Sequence, residues 1–255
     1  MNRRRWLAAA GAALSSTWLA GCDRLNTSPT VQGVLRRAEG LTLRAQRLVT
    51  DRKALAREFS PADISPDFRA NGTRSPQDAD YLALKAGNFE GYRLTVEGLV
   101  ERPLSLGLAE LRALPARSQI TRHDCVEGWS SIGKWTGARL GPLLDKAGLR
   151  PNARYLVFHC FDTLDPNAPP EKARYYESID LIDAYHPQTI LAYDMNDGPV
   201  PVAHGAPIRL RVERQLGYKH AKYVMRIEAV DSFEAIGRGN GGYWEDRGYE
   251  WYARI

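Results

Sequence analysis

The sequence predicts a mixed α+β domain, and three observations support this fold class. Segments in which apolar and polar residues alternate, as in strands, recur between residues 92 and 233. Short segments with helical spacing lie among them without regular strand–helix alternation, which disfavours a doubly wound parallel sheet. About 230 residues follow the leader described next, enough for one large core or two small ones.

Residues 1–21 have the pattern of an export signal peptide. Arg3, Arg4 and Arg5 precede an apolar run over residues 6–20, which is too short to span a bilayer and suits a signal-peptide core. The string NRRRWL resembles a twin-arginine signal, which carries proteins already folded around a cofactor; an ordinary Sec signal is the alternative.

The leader ends in Leu19-Ala20-Gly21-Cys22, which resembles a lipobox. In that interpretation Cys22 is acylated and anchors the chain to the periplasmic side of a membrane without crossing it. A plain small-residue cleavage site is the alternative.

Charge and cysteine content exclude two classes of function. Residues 1–21 hold three arginines and no acids, so removing them lowers the formal charge from +5 to +2. A formal charge so near neutral, in a sequence without a Lys/Arg cluster among aromatic residues, does not indicate nucleic-acid binding. With Cys22 lipidated, only Cys125 and Cys160 remain; they are free to pair in an oxidising compartment, but their spacing to the histidines is not that of a zinc site.

Residues 22–80 are predicted to form a helical and then irregular segment in front of the main domain, residues 81–255. Apolar residues from Val31 to Phe59 recur at helical spacing and predict a helix that breaks near Gly40. Prolines and Asn-Gly then punctuate residues 60–80 so densely that we expect a linker or a binding segment.

The main domain is predicted to consist of strands with short peripheral helices. Strands are expected at residues 92–100, 117–125, 153–161, 189–195, 207–214 and 222–233, and helices at residues 106–114 and 141–147. Residues 175–185 are expected to be a strand that runs into a helix, and Asn196-Asp197-Gly198 a hairpin turn. The aromatic, glycine-rich tail at residues 238–255 either lines a ligand pocket or clamps the terminus onto the body.

Cys125 is the first candidate for chemistry. If the strand from Arg117 continued, Cys125 and Glu127 would share one face. Three roles for the thiol are open. It is a nucleophile that needs a base such as His123, it forms a disulfide with Cys160, or it is a soft metal ligand. On residue types alone, a buried thiol or a disulfide carries more weight than either chemical role.

A second candidate is a group of cations between residues 201 and 223. His204, Arg209, Lys219, His220 and Lys222 fall within this short span, and Gly205 permits close backbone approach to a ligand. The forked N–H donors of arginine and the point charge of the lysine ammonium group suit phosphate, so this group of residues predicts an anion site. A solvated charged surface is the alternative.

Together these motifs resemble the molybdopterin-binding domain of the sulfite oxidase family. Cys125-Val126-Glu127 with Trp129 and Trp135, then HGAPIR (204–209) and GYKHAK (217–222), carry the resemblance, which runs from about residue 68 to 231. The bacterial branch with the periplasmic methionine sulfoxide reductase catalytic subunit is the more similar. The resemblance implies a barrel-like mixed sheet and one molybdenum bound by a single pterin.

The resemblance also implies roles for individual residues. Cys125 matches the cysteine that ligates molybdenum. Arg209 and Lys222 match residues that hold the pterin and its phosphate, with His220 and Ala221 in the same turn. The other implied cofactor contacts are Arg69, Asn71, Cys160 and His204. Glu127 is a hypothetical proton-handling or substrate-excluding residue.

Two positions depart from the more similar branch. His204 stands where that branch has asparagine, although histidine suits the sulfite oxidases. Cys160 stands where that branch has a threonine that touches the cofactor, and a second thiol near the metal leaves the substrate chemistry open.

The resemblance implies an exported molybdopterin-dependent oxidoreductase that transfers an oxygen atom on a small S-oxide, N-oxide or sulfite-like substrate. The sequence has no CxxCH haem motif, so we expect electrons to be exchanged with a membrane haem protein or a soluble cytochrome. The alternatives are a cofactor-free lipoprotein that uses the same fold for binding, and a cysteine hydrolase.

Overall fold

The computed structural model of the protein describes residues 28–165, 167–168 and 173–255. The predicted signal peptide and Cys22 therefore lie outside the described residues. The chain divides into two compact units, residues 1–51 and residues 52–255. The irregular stretch from residue 52 to residue 80 thus belongs to the larger unit.

The described residues contain ten strands and five α-helices. The strands are β1 (Arg93–Gly98), β2 (Leu104–Gly107), β3 (Ala116–Asp124), β4 (Ser130–Arg139), β5 (Tyr155–Thr163), β6 (Arg174–Asp180), β7 (Ile190–Met195), β8 (Gly198–Pro199), β9 (Arg209–Arg211) and β10 (Val224–Val230). The helices are α1 (Pro29–Val49), α2 (Ala79–Ala86), α3 (Leu108–Arg112), α4 (Leu140–Ala147) and α5 (Leu181–Ala184).

Helix α1 belongs to the first unit and runs without a break. The sequence predicted an interruption near Gly40, but the helix continues through that residue to Val49. A single interior glycine costs only about 1 kcal/mol relative to alanine, too little to end a helix of good helix formers. In the part of the chain that the structure describes, no helix has the length and hydrophobicity needed to cross a membrane.

The strands of the second unit form two five-stranded, curled sheets. The first sheet has the order β2-β1-β10-β5-β6, in which β1 and β10 are parallel and the other neighbours antiparallel. The second sheet has the order β3-β4-β7-β8, with β9 also paired to β7. The short helices lie between strands rather than in regular alternation with them, which confirms the mixed α+β prediction.

The two sheets bury different kinds of side chain. The first sheet supplies most of a large apolar core, which includes Leu94, Val96, Phe158 and Ile227. The buried positions of β3 are instead polar, namely Gln119, Thr121 and His123. Polar side chains in a protein interior need partners, so this sheet is where ligand chemistry is expected.

Strand β4 was missed by the sequence prediction, and β9 was predicted too long. Positions 131, 133, 135 and 137 of β4 are buried, but they are serine, glycine, tryptophan and glycine, so no apolar alternation marks them. In β9 all three residues are buried and two are arginines, Arg209 and Arg211. The turn Asn196–Asp197, with φ of 49° and 67°, joins β7 to β8 as the hairpin prediction requires.

Candidate functional site

One cavity of about 150 Å³ brings five of the ten candidate site residues together, namely Asn71, Cys125, Glu127, His220 and Lys222. We call it the Cys125 cavity. Its walls come from distant parts of the chain: Asn71, Gly72 and Thr73; Cys125, Val126 and Glu127; Asp162 and Leu164; Tyr175; Gly217, Tyr218, His220 and Lys222; and Trp244 and Tyr249.

Cys125 lies in the hairpin turn between β3 and β4 rather than on a strand. The N–H of Gly128 donates to the carbonyl of Cys125 (3.0 Å), and the N–H of Cys125 donates to the carbonyl of Trp129 (2.9 Å). Gly128 has φ +83°, as the last residue of a three-residue hairpin loop requires. The assumed strand through Cys125 and Glu127 is therefore wrong, because β3 ends at Asp124; the turn nevertheless directs both residues to the cavity.

The thiol of Cys125 is partly buried, and backbone N–H groups surround it. Burial raises the pKa of this thiol, while hydrogen bonds from the backbone of Glu127 and Val126 oppose that rise. Such N–H donors stabilise a thiolate, the form that ligates metals. Cys125 and Cys160 are both free, so the disulfide alternative is not realised.

Glu127 lines the cavity with an exposed side chain, and Arg69, which does not line the cavity, lies beside it. Arg69 Nη2 is 3.8 Å from Glu127 Oε2, with both side chains more than half exposed. The Nε1–H of Trp129 donates to the same carboxylate oxygen (2.8 Å), and the Arg69 guanidinium stacks on the Trp129 ring at 5.2 Å. The irregular segment before the main domain thus contacts the Cys125 turn.

Arg209 is completely buried and lacks a carboxylate partner among residues 28–165, 167–168 and 173–255. Its Nη1–H donates to the carbonyl of His204 (3.0 Å), whereas Nε and Nη2 find no hydrogen-bond partner in this described part of the chain. Burial, followed by the charge of Arg211, lowers the pKa of Arg209 to about 9. A buried cation with unused donors is a strong site for an anion.

Lys222 is the second buried cation of the site. Its ammonium group donates to the carbonyls of Asn71 (2.6 Å), Thr73 and Ala203 (3.1 Å). Carbonyl oxygens satisfy its donors but do not neutralise its charge. Burial and the charge of Arg209 therefore lower the pKa of Lys222 to about 7.

Asp162 is a site residue that the sequence reasoning missed. It lies near the end of β5, lines the cavity, and has one carboxylate oxygen without a partner among the described residues. Burial raises its pKa to about 6, and the nearby Lys222 charge opposes that rise. One feature of the sequence could have pointed to Asp162 as a site residue. It comes directly after the predicted buried strand 153–161, and a carboxylate there lies at the edge of a sheet.

Three histidines adjoin the cations and are held in the neutral form. Burial, followed by Arg209 and Lys222, lowers the pKa of His204 to about 4. His220 uses Nε2–H to donate to the carbonyl of Gln215 (3.0 Å), which leaves Nδ1 as an acceptor without a partner in the described structure. The His123 and His220 rings meet edge to face at 5.2 Å, and burial lowers the pKa of both.

The Trp135 ring contacts both guanidinium groups of β9. Arg209 and Arg211 lie 4.8 Å and 4.7 Å from its ring centroid. Arg211 is paired with Glu213 at 2.6 Å, so the excess charge remains on Arg209 and Lys222. Cation–π contacts of this kind stabilise buried arginine.

Gly205 provides a close approach between the two cations. It has φ +113°, and a Cβ at this position would be 3.0 Å from Lys222 Cβ and 3.1 Å from Arg209 Cβ. Any other residue would therefore be strained and would displace the cations. The sequence predicted a close approach of this glycine to a ligand, and that role stays a prediction; the contacts shown are with the side chains of Lys222 and Arg209.

Cys160 and Ala221 do not line the Cys125 cavity. The Cys160 side chain is fully buried in the apolar core, and its thiol donates weakly to the carbonyl of Phe158 at 3.9 Å. Ala221 is also buried, and its carbonyl accepts from the N–H of Leu210 (2.8 Å). Their roles as cofactor contacts remain predictions.

The C-terminal tail combines both of its proposed roles. Trp244 and Tyr249 line the cavity, and the Tyr249 ring meets Tyr218 edge to face at 5.2 Å. Trp251 instead packs edge to face on Tyr155 at 5.5 Å and holds the tail on the body.

A family model described as "Oxidoreductase molybdopterin binding domain" matches residues 82–235, more than half of the chain. The chain belongs to this family. It is a molybdopterin-binding oxidoreductase, as the motifs around Cys125, Arg209 and Lys222 predicted.

Curated relatives include sulfoxide reductase subunits. The chain is 36% identical over 201 residues to the putative protein-methionine-sulfoxide reductase subunit YedZ1 of Azospira oryzae, covering 76% of this chain and 69% of the relative. It is 34% identical over 156 residues to the protein-methionine-sulfoxide reductase catalytic subunit MsrP of Xanthomonas campestris pv. campestris, covering 58% of this chain and 48% of the relative. The chain thus spans about half the length of this second relative.

Among solved structures, the sulfane dehydrogenase SoxCD from Paracoccus pantotrophus is similar with a TM-score of 0.48 and 23% identity. The similarity covers 56% of this chain and 39% of that chain.

The residues present fit a phosphate-bearing pterin with a thiolate-ligated metal. The unused N–H groups of Arg209 and the buried ammonium group of Lys222 suit a phosphate. The free thiol of Cys125 suits a soft transition metal. Arg209 lies on strand β9, whereas Cys125 lies in the turn between β3 and β4, and Lys222 lies in the segment between β9 and β10.

Proposed function

We propose that this oxidoreductase reduces sulfoxides by oxygen-atom transfer with a molybdenum cofactor that carries one pterin. The observation that carries the proposal is the grouping of the free thiol of Cys125 with two buried cations: Lys222 lines the same cavity as Cys125, and Arg209 packs with Lys222 against Gly205. The names of the relatives support a sulfoxide as substrate and reduction as direction.

The protein residues have separable roles in this proposal. Arg209, Lys222 and the neutral His204 hold the pterin and its phosphate, with Asn71 at the cavity wall. Cys125 donates thiolate charge to the metal, and the N–H groups of its turn set the basicity of the sulfur. When bound, the cofactor supplies two-electron chemistry and exchange of one oxygen atom.

Reduction of a sulfoxide consumes two protons and two electrons and yields a sulfide and water. Glu127 is the cavity-lining carboxylate that solvent reaches most freely, so we assign it the transfer of protons from bulk water. The aromatic wall of Trp244 and Tyr249 offers apolar surface to the groups on sulfur.

The electrons come from a separate redox protein, which we propose to be a membrane haem protein or a soluble cytochrome. The word "subunit" in the relatives' names supports a partner. Export in folded form and acylation at Cys22 would place the chain at the periplasmic face of a membrane; both are proposals from the leader sequence.

The test is single-turnover reoxidation of the purified holoprotein. The protein is reduced chemically and mixed with a panel of sulfoxides, N-oxides and sulfate, and the cofactor absorption is followed. We expect sulfoxides, including methionine sulfoxide, to reoxidise it fastest. Reoxidation by N-oxides or by sulfate, without reoxidation by any sulfoxide, would contradict the proposal.

A further inference from the structure

Helix α1 exposes an apolar stripe that the proposed enzyme function does not use. Val34, Ala38, Leu41, Ala45 and Leu48 are spaced four and three residues apart, so they lie on one side of the helix. Val34, Leu41 and Leu48 are 57%, 65% and 86% exposed. On a helix that packs by its apolar side onto a protein core, these would be the buried positions.

The opposite side of α1 is the less exposed one. Gly33, Gly40 and Leu43 are partly buried, whereas the apolar stripe faces solvent. Val49 and Leu35 extend the stripe and are 86% and 53% exposed. An apolar stripe that stays exposed along the length of a helix marks a binding surface.

Basic residues border this stripe. Arg37 and Arg44, seven residues apart, follow one edge of it along the helix, and both are exposed. Residues 29–49 contain four arginines and one glutamate, a formal charge of +3. A basic amphipathic helix with moderate overall hydrophobicity is typical of segments that lie in the interface of an anionic bilayer.

A second copy of the chain fits the stripe less well. The spacing matches a heptad in which Arg37 and Arg44 occupy one flanking position and Leu35, Thr42 and Val49 the other. Neither flanking position holds an acid, so pairing two such helices places no carboxylate opposite the arginines. Lipid phosphates supply that missing charge.

The position of α1 in the chain favours the same occupant. The predicted acylation site, Cys22, precedes the helix by seven residues, which span at most about 25 Å when extended. A single lipid chain gives weak membrane binding, and a basic, apolar helix is the kind of second element that makes it stable.

We propose that α1 is a membrane-docking helix that lies flat on an anionic bilayer. Its apolar stripe enters the headgroup region, and Arg37 and Arg44 contact lipid phosphates. At 21 residues it covers about 30 Å of membrane surface. This surface does not depend on the proposed sulfoxide chemistry.

Hydrogen–deuterium exchange of the full chain tests this proposal locally, whether or not a lipid anchor is present. Exchange of the backbone over residues 29–49 is compared without vesicles, with phosphatidylcholine vesicles, and with vesicles of phosphatidylcholine and phosphatidylglycerol in equal parts. We expect exchange to slow by about tenfold on the anionic vesicles, and less on the neutral ones. High salt should reduce the difference.

Matched variants separate the two components of docking. Leu41→Gln with Leu48→Gln should abolish the protection, and Arg37→Gln with Arg44→Gln should remove the preference for anionic vesicles. Leu82→Gln, which alters an exposed leucine on α2, should behave like the unchanged chain. Protection that survives the double leucine variant would overturn the proposal. If exchange over residues 29–49 slows at higher protein concentration without vesicles, the stripe binds a second copy of the chain instead of a membrane.

Discussion

Replacing Lys222 with methionine should make the cofactor-free protein less sensitive to pH. Lys222 is charged at pH 10.5 or below in the unfolded chain, but its pKa in the folded protein is about 7 because burial and Arg209 disfavour its charge. The folded state therefore releases a proton that the unfolded state retains between these values. Stability from this group is highest at high pH and is lost as the pH falls towards 7.

The size of this effect follows from the two pKa values. One proton difference is worth about 1.4 kcal/mol per pH unit, so the unchanged protein should lose about 2 kcal/mol between pH 9 and pH 7 relative to Lys222→Met. Asp162, with a pKa of about 6, titrates mainly below this window. Loss of the three hydrogen bonds to carbonyl oxygens adds an offset that does not depend on pH.

Urea unfolding of the cofactor-free chain at pH 7 and pH 9 measures the difference. Lys85→Met, at an exposed position, is the matched control and should change stability by no more than about 0.5 kcal/mol at both pH values. In loaded protein the pterin phosphate should remove the pH dependence, and Lys222→Met should weaken cofactor retention by on the order of 30-fold. Parallel pH curves for the unchanged protein and Lys222→Met would refute a lowered pKa of Lys222 in the folded protein.

Four further substitutions test separate parts of the site. Cys125→Ser should leave the melting temperature of the cofactor-free chain within a few degrees and reduce turnover by at least about 100-fold, measured by sulfoxide-dependent reoxidation. Gly205→Ala should destabilise the fold by about 1–3 kcal/mol in urea and reduce cofactor content; unchanged content would argue against its close-approach role. Lys219, predicted to belong to the anion site, is instead ion-paired with the buried carboxylates of Glu177 (2.5 Å) and Glu245 (2.6 Å), so Lys219→Met should cost about 3–5 kcal/mol in urea unfolding. Glu127→Gln should alter stability by less than about 0.5 kcal/mol but lower the rate most at high pH, where protons are scarce; an unchanged pH–rate profile would remove Glu127 from proton transfer.

Strong alternation and turn residues made much of the fold predictable from sequence. Strands β1 and β3 alternate, β5 and β7 are mostly apolar runs typical of buried strands, and glycine or proline marks the ends of several helices. Strand β4 was not predictable this way, because its buried positions are serine, glycine and tryptophan that face a polar interior. The length of β9 was overestimated, because alternation continues beyond the residues that pair with β7.

The site was predictable where a motif holds both the residue and its local structure. Arg209, Lys222 and Cys125 belong to such motifs: Cys125 and Lys222 line the same cavity, and Arg209 packs with Lys222 against Gly205. Asp162 was missed because a lone carboxylate at the end of a strand has no distinctive spacing. The strand assumed for Glu127 was wrong because Gly128, at a left-handed φ, turns the chain.

Analysis of molybdenum and pterin content tests the central claim most directly. Protein produced with its own N-terminal segment should contain about one molybdenum and one pterin per chain, as Cys125 and the Arg209–Lys222 cations require. Arg209→Met should be folded but contain little of either. Well-folded, unchanged protein without molybdenum would contradict the account and would favour a cofactor-free binding protein with the same fold.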